Sequence, residues 1–253
     1  MINILLNGCN GNMGKAIIEH VNKTPDFNVL YGIDKDNTDL YNNITQKPDV
    51  IIDFSTVSAT FTALNYAIEN LVPIVIATTG FSQTDNQKIA EFAEAIPIFK
   101  SSNMSYAIYL FANVASTLAK KLKNVDIEII EKHHRMKKDA PSGTALMLAD
   151  SIHRKCNISS IRGGGLVGEH SVLFLGENET IEIKHTAYSR NIYVEGALDA
   201  AKFIITKKNG LFSMEDLVSC WNKVTEFGHL SKRDTPKWTR TWPKRSVPNG
   251  QVT

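Results

Sequence analysis

With 253 residues, 43% of them hydrophobic and 21% charged, the chain has ordinary globular composition and enough length for one large or two modest cores. Its net charge of +2 excludes the global bias that points to nucleic acid or an anionic membrane surface. No apolar run reaches the roughly 18 residues of a membrane span, and Cys9, Cys156 and Cys220 are too far apart for a CxxC pair, so a cytoplasmic protein with reduced thiols and no signal peptide is expected.

The first predicted element is a buried strand over residues 2–7, followed by Gly8-Cys9-Asn10-Gly11-Asn12-Met13-Gly14 and a helix from Lys15 to Val21. Glycines at 8, 11 and 14 give a variant of the dinucleotide-binding fingerprint. Its requirements are a tight turn, close backbone approach to a pyrophosphate, and a helix N-terminus aimed at it. A second strand, Phe27 to Ile33, ends on Asp34-Lys35. An acid there accepts ribose hydroxyls and a cation pairs with a 2′-phosphate, so NADH and NADPH are both admissible. Strands at 50–55, 73–77 and 96–99 alternate with helices at 58–70 and 85–95. The expected fold is therefore a Rossmann-type doubly wound parallel sheet. Loops at the carboxyl ends of such strands line the ligand crevice, which places Ala77-Thr78-Thr79 beside the cofactor.

A long helix is predicted over Tyr106–Lys121, then a strand over Asp126–Glu131 running into a loop with six cationic or imidazole residues among the seven from Lys132 to Lys138. A cationic run alone is most often a solvated face. Here it is wedged between a strand and Pro141-Ser142-Gly143-Thr144, which opens a predicted helix over 143–155. Free N–H groups and the positive end of that helix favour a carboxylate or phosphate, and His133, His134 and Lys137 stand close by in sequence. Strands at 165–176 and 180–187 follow without an intervening helix, which predicts a second α+β domain with a mixed or antiparallel sheet. A helix is expected over 196–207, and Ser213 caps a last short helix. From about residue 222 the chain differs: Lys232 to Arg245 has no period, two prolines and a basic bias, and poor order is expected there.

Gly8-x-x-Gly11-x-Met13-Gly14, Thr78-Thr79-Gly80, Ser102-Asn103-Met104-Ser105, Glu131-x-His133-His134-x-x-Lys137-x-Asp139-Ala140-Pro141-Ser142-Gly143-Thr144-Ala145 and Val167-Gly168-Glu169-His170 occur in this order. Together they resemble the 4-hydroxy-tetrahydrodipicolinate reductase (dihydrodipicolinate reductase) family over residues 1 to about 220. The resemblance implies an NAD(P)H-dependent reduction of (2S,4S)-4-hydroxy-2,3,4,5-tetrahydrodipicolinate to 2,3,4,5-tetrahydrodipicolinate, in diaminopimelate and lysine synthesis. It also implies a homotetramer acting on a small cyclic dicarboxylate; the net charge and apolar runs point to neither nucleic acid nor membrane as partner, and His133-His134 without a third ligand at zinc spacing point to no metal. Carried onto this chain, His133 is the proton donor and acceptor and Lys137 a proton donor. His134, Gly143 and Thr144 hold substrate. Gly8, Cys9, Asn10, Gly11, Asn12, Met13, Asp34, Lys35, Ala77, Thr78, Thr79, Ser101, Ser102, Asn103 and Met104 hold NADPH or NADH. Residues 1–104, completed by 191–221, are the expected dinucleotide domain, 105–190 the substrate and assembly domain, and 222–253 a tail outside the resemblance. Ala107-Ile108-Tyr109 stand where the family usually has Gly-Val-Asn.

Two other readings are weighed against this one. Another two-domain NAD(P)-dependent oxidoreductase, such as a semialdehyde dehydrogenase, needs a cysteine nucleophile at the mouth of its second domain, and a non-catalytic dinucleotide sensor would leave NAD(P)H unoxidised with substrate.

Overall fold

The computed structural model describes residues 1–219; the tail predicted from residue 222 lies outside them. Strands β1 (Ile2–Asn7), β2 (Phe27–Ile33), β3 (Val50–Asp53), β4 (Ile74–Ile76), β5 (Pro97–Lys100) and β10 (Gly210–Phe212) form one sheet in the order β10-β5-β4-β3-β1-β2. Every pairing in it is parallel. Both faces are covered, so alternate residues of one strand enter different cores. Ile4 and Leu6 pack with Ile17 of α1 (Asn12–Val21) and Ala197 and Ala201 of α6 (Asn191–Ile204). Leu5 faces the other way, with Ala63 and Leu64 of α2 (Val57–Asn70) and Ile89 of α3 (Gln83–Phe92).

The second sheet has the order β7-β6-β8-β9, from β6 (Asp126–His133), β7 (Asn157–Arg162), β8 (Gly168–Leu175) and β9 (Thr180–Ala187). It is mixed: β6 and β7 are parallel, the other pairs antiparallel. One face is covered by α4 (Tyr106–Lys121) and α5 (Gly143–Ile152), which bury Ile127, Ile129, Val172 and Phe174. Arg154 ties these helices together, donating to the carbonyls of Ala119, Leu122 and Val125 at 2.8, 2.6 and 3.0 Å. It thereby satisfies carbonyls at and just beyond the C-terminal end of α4.

Three elements stand out among the differences from the sequence reading. The strand β7 is absent from it, because Asn157-Ile-Ser-Ser-Ile-Arg162 leaves most side chains exposed and carries no apolar alternation. The helix α6 begins at Asn191, five residues before the predicted 196. Gly210–Phe212, read only as a lead into the last helix, adds a parallel strand beside β5; the helical residues 214–219 follow.

The helix α6 returns to the first sheet and crosses the entry to α4 at Gly196. A Cβ at Gly196 would stand 1.7 Å from the Met104 carbonyl oxygen, a backbone atom that no rotamer change can move. Gly196→Ala is expected to destabilise the protein by about 1–3 kcal/mol, the range of overpacked sites, read as a lower urea midpoint.

Candidate active site

The loop after β1 is shaped by its glycines. Gly8 has φ +85°, and a Cβ there would lie 2.3 Å from the Phe54 carbonyl oxygen. A Cβ on Gly14 would lie 2.3 Å from the Gly8 carbonyl oxygen, so α1 presses directly on the turn. Gly11 is the N-cap of α1 and no side chain caps it, leaving a helix N-terminus open to an anion. The loop borders a cavity of about 620 Å³ that includes Gly8, Asn10, Gly11, Asp34, Lys35 and Ser55 in its wall. The Asp34 carboxylate accepts from the N–H of Asn10 (2.9 Å) and of Lys35 (2.9 Å), which hold it below the usual carboxylate range despite burial. Tight turn, bare helix start and an acid at the end of β2 fit a dinucleotide. Of the residues expected here, Cys9 points elsewhere: its sulfur lies against Gly32, 3.1 Å from where a Cβ would stand.

A second cavity of about 280 Å³ joins Met13, Ala77, Ser102, Asn103 and Met104 to Thr144, with Arg190 and Tyr193 completing it. Phe54 borders both cavities. Asn103 donates from Nδ2 to the Thr144 hydroxyl at 3.0 Å, so a residue expected at the cofactor touches one expected at the substrate. Ser101 fixes this corner by donating to the Asn103 carbonyl at 2.7 Å. Arg190 and Tyr193 belong to the start of α6, which the sequence reading placed too late, and so both are absent from it.

Thr78 plays a different part from a direct ligand contact. Its hydroxyl accepts from the Ser55 N–H and donates to Asp53, both at 2.9 Å. Asp53, with 0% exposure, also accepts from Asn7 (2.8 Å), Thr60 (2.6 Å) and Ser55. Burial pushes its carboxyl upward, against the pull of these hydroxyl and amide donors. One side chain thus clamps the carboxyl ends of β1, β3 and β4, where the crevice lies. Thr79 is exposed.

In the second sheet, β6 alternates so that Ile127, Ile129, Glu131 and His133 share the buried face. The face turns polar as it leaves the core. Glu131 has 0% exposure and accepts from His133 Nδ1 at 2.5 Å, from Arg162 at 2.8 and 2.6 Å, and from the Ser142 N–H at 3.2 Å. Burial alone would raise its pKa; Arg162, Ser160 and His133 bring it down to about 2. Burial lowers the pKa of His133 and Glu131 opposes that. Ser142 caps α5 through the Ala145 N–H (3.2 Å) and meets His170 Nε2 at 3.2 Å. The next two N–H groups, of Gly143 and Thr144, have no partner among the described residues, and no atom lies within 4 Å of a Cβ position on Gly143. The helix thus starts where the sequence predicted, with free N–H groups of the kind that favour an anion. Lys137 pairs with Asp139 at 2.8 Å, and His134 donates its N–H to the Leu166 carbonyl at 2.8 Å. His133, His134 and Lys137 stand outside both cavities, and His133 is linked to the start of α5 through Glu131 and the Ser142 N–H. Glu131 and Arg162 were not assigned as site residues from sequence; the i, i+2 spacing of Glu131 and His133 was the available signal.

Neither described cysteine suits a semialdehyde dehydrogenase nucleophile. Cys9 lies in the glycine loop and Cys156 follows α5, and burial raises both thiol pKa values. Cys220 lies outside the described residues. Among the described residues no helix is long and apolar enough to cross a membrane.

Comparison with known proteins gives one consistent answer. Family profiles described as "Dihydrodipicolinate reductase, N-terminus" and "Dihydrodipicolinate reductase, C-terminus" match residues 2–104 and 107–218. A 4-hydroxy-tetrahydrodipicolinate reductase of Caldanaerobacter subterraneus subsp. tengcongensis is 43% identical over 247 residues, 86% of this chain and 98% of that protein. That of Clostridium novyi is 39% identical over 252 residues, 88% of this chain and all of the relative. The structure of a dipicolinate-bound dihydrodipicolinate reductase from Paenisporosarcina sp. TG-14 superposes with a TM-score of 0.70 at 26% identity, covering 84% of this chain and 97% of that one.

Asp34 and the adjacent Lys35 bring opposite charges to the wall of the larger cavity. Asp34 repels a 2′-phosphate and Lys35 attracts it, so the kcat/KM ratio of NADPH to NADH is expected within about tenfold, or 1.4 kcal/mol. Lys35→Ala should move the ratio toward NADH by about 2–5-fold, the loss of an exposed ion pair, measured with both cofactors in one steady-state assay.

Proposed function

The chain belongs to the dihydrodipicolinate reductase family, an NAD(P)H-dependent reductase of 4-hydroxy-tetrahydrodipicolinate, and we propose how its residues divide that reaction. Residues 1–104 with the segment from 191 hold the dinucleotide through Gly8, Asn10, Gly11, Met13, Asp34, Lys35, Ala77 and the Ser101–Met104 corner. Residues 105–190 hold the cyclic dicarboxylate. When bound, the reduced nicotinamide supplies a hydride. The observation that carries this reading is the Asn103–Thr144 hydrogen bond, which makes the anion-accepting start of α5 part of the wall of the smaller cavity.

The protein's own contribution is charge and proton placement. The N–H groups of Gly143 and Thr144 receive one substrate carboxylate, and the guanidinium of Arg190 brings positive charge to the same cavity. His133 delivers a proton to the ring carbon left electron-rich by reduction and assists loss of the hydroxyl, since an imidazole changes charge near neutral pH. Lys137 serves as a further proton donor once substrate draws it from Asp139, and His134 lines the substrate side. The protein acts in the cytoplasm as a homotetramer, with the second sheet at the contacts between subunits.

Oxidation of NAD(P)H by the purified chain, followed at the nicotinamide absorbance with freshly generated substrate, tests the activity; a flat trace favours the sensor. His133→Gln should lower turnover about 10²-fold with substrate KM little changed, because general acid–base catalysis contributes about 10²–10⁴. An unchanged rate removes His133 from the mechanism. Pyridine-2,6-dicarboxylate, a planar dianion, should compete with substrate. Thr144→Val should weaken it by about 0.5–3 kcal/mol, the worth of one hydrogen bond to a charged group. NADPH affinity reports whether Asn103, deprived of its acceptor, holds its place; a loss confined to NADPH would reassign Thr144 to the cofactor.

A further inference from the structure

We propose that Glu131 and Arg162 are positioning residues for His133: the carboxylate fixes Nδ1 as the protonated ring nitrogen, leaving Nε2 to exchange the proton, and the guanidinium keeps that carboxylate aimed. The inference deepens the reductase reading and, for its kinetic part, rests on it.

The argument begins with what each atom is able to do. A neutral imidazole has one donor and one acceptor nitrogen, whereas an ionised carboxylate only accepts. His133 Nδ1 lies 2.5 Å from Glu131 Oε2, so Nδ1 carries the hydrogen. The opposite nitrogen, Nε2, has no hydrogen-bond partner among the described residues. It lies against Gly168, 3.1 Å from where a Cβ would stand, so the absence of a side chain there leaves the ring its place.

Glu131 is itself held without slack. Arg162 Nη1 donates to Oε2 at 2.8 Å and Nη2 to Oε1 at 2.6 Å, the parallel two-bond pairing of a guanidinium with a carboxylate. The Ser142 N–H adds a bond to Oε1 at 3.2 Å. Arg162 is anchored in turn on the carbonyls of Asp139 and Ile161, at 2.6 and 2.8 Å. The sheet register brings these groups together: Glu131 pairs with Ser160 and His170, and His133 with Arg162. The charged and titratable groups facing His133 are Glu131 on its own strand, Lys137 in the following loop, Arg162 on β7 and His170 on β8. Lys137 is engaged by Asp139. Burial holds His170 neutral, with a pKa lowered to about 4. Glu131 is thus the anion in direct contact with the imidazole, and it favours the protonated ring.

A purely structural ion pair would close the sheet in the same way, so the test reads the histidine itself. In the full-length wild-type protein with ¹⁵N-labelled histidine, the His133 signal is identified by its loss in His133→Gln. Above its titration it should show the Nδ1–H tautomer; the Nε2–H tautomer overturns the proposal, and this arm needs neither substrate nor a folded Glu131 variant. In Glu131→Gln, turnover should fall about tenfold or more with NADPH KM within about twofold. The His133 titration, and with it the alkaline limb of the pH–rate profile, should move to lower pH because the anion favouring the imidazolium is gone. A smaller loss, or a loss with the histidine titration unmoved, overturns the positioning role. An inactive wild-type chain with the Nδ1–H tautomer would count against the assigned reaction and not against the tautomer assignment.

Discussion

A carboxylate with no exposed surface organises the second half of this protein. Burying an unpaired charge is so costly that the group neutralises or the fold must surround it with donors. Glu131 is surrounded: a guanidinium from β7, an imidazole from its own strand and a main-chain N–H from the start of α5 all converge on it. These partners come from three places in the chain, so satisfying one side chain fixes the relative positions of β6, β7 and α5. The same contacts set the orientation of the histidine and the register of the first turn of α5. Stability and chemistry share the interaction.

Asp53 is the counterpart in the first sheet, with a different electrostatic character. Its donors are neutral hydroxyls and an amide, with no cation among the contacts, so burial is offset by hydrogen bonds alone. The result is a clamp on the carboxyl ends of three strands, beneath loops that must stay open to a dinucleotide. Such loops leave their own backbone groups free for a ligand, and rigidity has to come from the layer below.

The two halves meet through small polar side chains. Asn103 closes its own loop through the Ser105 N–H at 2.8 Å and reaches across to Thr144 at 3.0 Å. Ser142, two residues before Thr144, contacts Glu131 and His170. Hydrogen bonds therefore reach the first turn of α5 from two sides, from the cofactor crevice at Thr144 and from the Glu131–His133 pair at Ser142.

Much of this was legible in the sequence, because period and punctuation are local. Apolar runs separated by glycine and helix patterns gave the parallel sheet and its order of elements. Gly8, Gly11 and Gly14 announced the tight turn between β1 and α1, and Pro141-Ser142-Gly143-Thr144 announced the start of α5. What escaped depends on pairing between distant segments. The strand β7 has no apolar face of its own and exists because β6 offers it a hydrogen-bonding edge, so Arg162 was invisible as a partner of Glu131. The role of Asp53 likewise follows only from Asn7, Thr60 and Thr78 arriving at one point. The sequence by itself determined the fold class and the glycine turn after β1, and it singled out His133 as a candidate for proton transfer. The tertiary structure decided which nitrogen of that histidine is held and what holds it, since those are properties of side chains brought together across the sheet.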